Sequence, residues 1–171
     1  MCQLFNFLKR TKTANDVLKA MFEGHLEVNV TLQKQRETWD DERVPFDSYL
    51  KEEDCLFLFV VFSAIQQCKL SATEKRILLN LFRQVLSRNV KAGRVDPQIE
   101  INLQDYCDAV NAPHPEHLGP LWNVGSAFAR HLGADKDIAY VQVGVTGHAK
   151  PLLLTVELLN AISRSYRIVE G

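Results

Sequence analysis

Residues 55–65 read Cys-Leu-Phe-Leu-Phe-Val-Val-Phe-Ser-Ala-Ile, eleven positions without a charge. A segment that is apolar on every side has no face to give to water, so it belongs in the middle of a domain or at a subunit contact. It falls well short of the roughly 20 residues a helix needs to span a bilayer, which leaves a place in the core. Its β-branched and aromatic content would suit a buried strand. A helix over 47–68 is preferred, because the segment is long and runs on through Gln66, Gln67 and Cys68. Asp47 stands ready as an N-cap, and Glu52, Glu53 and Asp54 lie in the opening turns, where the helix dipole favours negative charge.

A chain of 171 residues, 46% hydrophobic and 24% charged, can bury such a segment without disulfide or metal staples. The same figures exclude disorder, collagen-like repeats and a disulfide scaffold. The expected architecture is a single globular domain, 1–171, mainly α: a helical bundle around an antiparallel hairpin, with a minor short-stranded sheet. An α+β arrangement is the alternative.

The clearest helix lies over 73–91. Ser71-Ala72-Thr73-Glu74 is a capping box, Leu78, Leu81, Phe82, Val85 and Leu86 form one apolar stripe, and Gly93 is the stop. A second good helix runs over 120–132, with Pro120 at its first position and Gly133 after it. On its apolar face Gly125 and Ala129, four apart, would let a neighbouring backbone approach closely. A last helix is expected over 151–168, almost wholly apolar apart from a ridge of Glu157, Asn160, Arg164 and Arg167.

Other stretches are ambiguous between strand and helix. Residues 15–22 look like a short helix stopped by Gly24. Residues 26–32 and 138–145 favour strands, by alternation and by Val, Ile and Tyr content respectively. Residues 99–103 alternate and then merge into helical spacing.

The formal net charge of −1 conceals an arrangement: residues 37–54 are strongly acidic and residues 69–94 strongly basic. If 47–68 and 73–91 pair with a turn near Leu70-Ser71, Asp54 lies level with Arg88 and Asp47 with Arg94. Arg76, Arg83, Lys91 and Arg94 would form a basic stripe for a phosphate-rich or acidic partner. The acidic start of one helix answering the basic end of its neighbour is the preferred explanation. A near-neutral chain exerts no long-range pull on nucleic acid, so no nucleic-acid partner is expected.

Motifs that carry chemistry are weak. His114 and His117 stand three apart around Pro115, which spoils a helical ligand pair, and zinc would need further ligands converging on them. Thr146, Gly147 and Lys150 lie in a glycine-bearing stretch between the expected strand and helix, where backbone amides can meet a phosphate. The full phosphate-loop spacing is absent, so an ordinary turn is expected there. No nucleophile elbow or metalloprotease motif occurs, and no catalytic residue, cofactor or metal is assigned. Glu157 is expected to be partly buried beside Arg164.

Apolar aromatics Phe57, Phe59, Phe62, Trp122 and Phe128 are expected to fill the core rather than to line a ligand pocket. The four cysteines show no metal spacing, and the N-terminus puts apolar residues ahead of its charges, opposite to a secretory signal. Reduced thiols in a cytoplasmic protein with no membrane association are expected. The functional expectation is a non-enzymatic interaction or regulatory protein that meets a protein partner or itself, as a homodimer. Its contact residues would be Leu154, Leu158, Arg76 and Arg83. A small-molecule or nucleotide-binding enzyme using the 144–151 loop is the alternative.

Overall fold

The computed structural model describes residues 10–33, 41–114, 119–135 and 137–171. In chain order these form β1 (Arg10–Thr13), α1 (Ala14–Gln33), α2 (Phe46–Gln67), α3 (Ala72–Lys91), α4 (Gln98–Asn111), α5 (Pro120–His131), α6 (Ile138–Ser165) and β2 (Tyr166–Val169). The mainly α architecture holds. Its sheet is the single parallel pair β1–β2, in register from Arg10 opposite Tyr166 to Thr13 opposite Val169.

Local signals explain most helix ends. Thr13 Oγ1 accepts the amide of Asp16 at 3.1 Å and opens α1. The capping box of α3 is complete: Ser71 Oγ accepts the Glu74 amide at 3.3 Å, and the Ser71 amide donates to Glu74 Oε2 at 3.0 Å. Glu74 also binds the start of α3 to the sheet, because its Oε1 accepts the Ile168 amide at 3.0 Å. Gly93 and Gly133 follow α3 and α5 with φ of 66° and 72°, a conformation that costs glycine nothing. Asp47 is not a cap; Pro45 takes that position and Asp47 lies in the first turn of α2.

Two expected strands are helical instead. Residues 26–32 continue α1 past Gly24, since one interior glycine costs only about 1 kcal/mol and the buried stripe of Ala14, Val17, Leu18 and Met21 holds the helix in place. Residues 138–145 and 151–165 are one helix, α6, with Pro151 inside it. An interior proline costs about 3 kcal/mol, and burial on both sides of it, at Val141 and Gly144 before and Leu159 and Ile162 after, opposes that cost. The chain leaves the helix at Tyr166, so 166–168 belong to β2 rather than to the last helical turn. Residues 99–103 are helical, in α4.

The apolar side chains gather into two clusters, and α2 and α6 run through both. One cluster unites α1, α3 and Ile168 with Val61, Ala64 and Ile65 of α2 and Leu159 and Ile162 of α6. The other unites α4 and α5 with Cys55, Leu56 and Phe59 of α2 and Tyr140 and Val141 of α6. The charge-free segment is thus largely covered, with Phe59 1% and Val60 and Val61 0% exposed, while Phe57, Leu58 and Phe62 are half-buried. Of the aromatics expected in the core, Phe59 and Phe128 are fully buried, and Phe57, Phe62 and Trp122 are half-buried and packed against the two clusters.

The α2–α3 hairpin is joined at its turn end, where Phe62 and Phe82 lie 6.3 Å apart. Its expected charge pairing does not form. The side chains of Arg88 and Arg94 make no ion pair among the described residues. Two acids of α2 are engaged elsewhere: Glu52 faces α4 and α5, and Glu53 accepts the Tyr49 hydroxyl at 2.9 Å.

Candidate functional site

The densest polar constellation among the described residues joins α2, α4 and α5. Glu52, 5% exposed, accepts hydrogen bonds from Asn102 Nδ2 at 2.8 Å and from the Tyr106 hydroxyl. His131 lies between two carboxylates, with Nδ1 2.7 Å from Glu52 Oε1 and Nε2 2.8 Å from Asp105 Oδ2. Arg130 Nη2 donates to the same Asp105 oxygen at 2.6 Å. Asp105, Asn102 and His131 border an open groove of about 670 Å3 on the α4 side.

Burial alone would push the His131 imidazole down, but the hydrogen bonds and negative charge of Glu52 and Asp105 outweigh it and raise the pKa. Burial would likewise raise Asp105, yet His131 and Arg130 bring it below the usual carboxylate range. Both ring nitrogens of His131 are thus engaged by carboxylate oxygens, one from α2 and one from α4. The arrangement is a clasp that holds three helices together.

Sequence reasoning missed this cluster, because its members are separated by some 25 to 80 positions and no local spacing announces them. The available signal was Glu52 itself, an acid three positions ahead of the core segment that begins at Cys55.

The glycine-bearing stretch is not a junction but the interior of α6, so no phosphate-accepting turn exists there. Thr146 and Lys150 face solvent, and the Thr146 hydroxyl donates to the Gln142 carbonyl at 2.9 Å. Gly147 packs near Leu56. His148 points the other way, into the core, 1% exposed and tilted 5.1 Å over the Phe59 ring. These residues therefore do not converge.

His114 is exposed at the end of α4, and His117 lies outside the described residues. Among the described residues no group of three or more His, Cys, Asp or Glu could hold a metal ion. Cys55 and Cys68 are buried free thiols, and burial raises both pKa values. Glu157 is exposed, contrary to the expected partial burial, since it falls on the outer side of α6.

Among the described residues that outer side holds three of the six exposed large hydrophobic side chains. Leu153 is 59%, Leu154 55% and Leu158 38% exposed, with Lys150 and Glu157 beside them. Arg76 and Arg83 are exposed on α3. No helix among the described residues is long and apolar enough to cross a membrane. The chain matches no protein-family model, no curated protein and no solved structure.

Proposed function

We propose that the protein is a non-enzymatic interaction protein that works as a homodimer, paired through the outer face of α6. The observation that carries this reading is the exposure of Leu153, Leu154 and Leu158 on adjoining turns of one helix, an apolar patch that water leaves unsatisfied. The charges beside the patch favour a second copy over an unrelated partner. If two α6 helices pack antiparallel about a two-fold axis, Leu153 meets Leu154 of the other copy. The same register sets Lys150 opposite Glu157 twice, so the face is complementary to itself.

Light scattering on the intact chain tests this. A dimer that dissociates on dilution is expected, with Leu154→Glu giving a monomer of unchanged melting temperature. Lys150→Glu should weaken the dimer, and adding Glu157→Lys should restore it. A monomer at every concentration overturns the reading.

A further inference from the structure

The outer face of α3 carries Arg76, Arg83, Arg88 and Lys91, all exposed and none with an ion pair or side-chain hydrogen bond among the described residues. At 1.5 Å per residue this row is about 22 Å long. Arg83, Arg88 and Lys91 border an open groove of about 540 Å3 together with Gln84 and Ser87. The only acid of α3, Glu74, is consumed by its capping box and by Ile168. Two expectations oppose a phosphate-rich partner: the near-neutral net charge, and acids of α2 such as Asp47 and Asp54 answering these cations. The second does not hold, since no acid of α2 forms an ion pair with Arg76, Arg83, Arg88 or Lys91 among the described residues.

We propose that this unpaired basic face of α3 binds the phosphodiester backbone of a nucleic-acid duplex. Its composition selects that partner. No aromatic or aliphatic side chain lines the groove of Arg83, Gln84, Ser87, Arg88 and Lys91, so it lacks the apolar centre of a protein interface and the wedge that seats a helix in a bilayer. It also lacks the stacking platform that single strands require. Arg, Lys, Ser, Asn and Gln are the side chains that hold phosphate oxygens, and they fix position without reading sequence. With a net charge of −1 the chain offers no long-range steering, so binding is local, weak and strongly dependent on salt. The inference does not depend on pairing through α6.

Fluorescence anisotropy of a labelled DNA duplex of about 20 base pairs, titrated with the intact protein from about 25 to 200 mM salt, tests the proposal. Four cations predict a slope of log K against log salt of roughly −3 to −4. Arg83→Gln with Arg88→Gln should weaken binding about tenfold at low salt and bring the slope to roughly −2. Arg76→Gln with Lys91→Gln should act alike, whereas Lys51→Gln with Arg167→Gln, which removes as much charge elsewhere, should leave affinity within about twofold. Circular dichroism verifies that each variant is folded. No duplex binding at the lowest salt, equal loss in the Lys51/Arg167 variant, or retention by phosphatidylserine vesicles in place of the duplex overturns the assignment.

Discussion

Gly125 of α5 and Gly144 of α6 stand against one another: a Cβ built on Gly144 would lie 2.9 Å from Gly125 Cα and 2.7 Å from Phe128 Cβ. A Cβ on Gly125 would in turn meet the Val141 carbonyl oxygen and, at 2.7 Å, Val145 Cγ2. The two helices cross at backbone distance, which explains why this pair shares the most extensive packing among the described residues. Small residues at a crossing exchange helix propensity for close van der Waals contact.

Gly125→Ala and Gly144→Ala are therefore expected to destabilise, although alanine is the better helix former by about 1 kcal/mol. Overpacking against backbone that cannot retreat should cost a net 1–3 kcal/mol or so. Gly147→Ala is the internal comparison, because its Cβ would meet side-chain atoms alone, a methyl of Leu56 at 3.2 Å and Glu53 Oε1 at 3.9 Å, and it should be close to neutral. Thermal unfolding of the three variants measures the difference. Equal melting temperatures would contradict the close crossing.

Removing His131 should be severe. His131→Leu leaves Glu52 buried without its imidazolium, a loss of roughly 3 kcal/mol. Because the folded-state pKa of His131 is raised, its contribution is complete below about 6.5 and fades as pH climbs through the folded value. Asp105, lowered in the fold, contributes above its ordinary value and loses that contribution as pH falls. Urea unfolding of wild type and His131→Leu across neutral to alkaline pH should converge as the imidazolium deprotonates.

His148 titrates in the opposite sense. Neither ring nitrogen has a hydrogen-bond partner among the described residues, and burial holds its pKa down at about 4. The unfolded chain takes up a proton near pH 6.5 that the fold refuses, so stability declines as pH falls from 6.5 toward 4, by about 3 kcal/mol in all. His148→Leu removes two unsatisfied buried nitrogens without opening a large void. It should leave neutral stability equal or higher and flatten this acid limb; an unaltered acid limb would place the titration elsewhere.

Some of this was written locally in the chain. The capping box at Ser71, the Pro120 start and the glycine stops at 93 and 133 each act over one turn, and the corresponding helices appear where they predict. Gly125 was also readable, as a residue permitting close approach. Alternation at 26–32 and the Val, Ile and Tyr content of 138–145 misled because each describes only one strand, whereas a strand also needs an edge to pair with, and β1–β2 is the sheet that the described residues form. Val141, Val143 and Val145 have modest helix propensity, but α5 lying across Gly144 decides their conformation from outside the segment. The Glu52–His131–Asp105 clasp was illegible for the same reason, since proximity created by three helices leaves no trace in spacing.

Because α2 and α6 each lend one end to either apolar cluster, no single cut yields a self-sufficient half. A fragment ending after α3 would lack Leu159 and Ile162, and one beginning at α4 would lack Leu56 and Phe59. Each would display bare hydrocarbon and clump. Complementation of two separately produced pieces would succeed only if they were synthesised together.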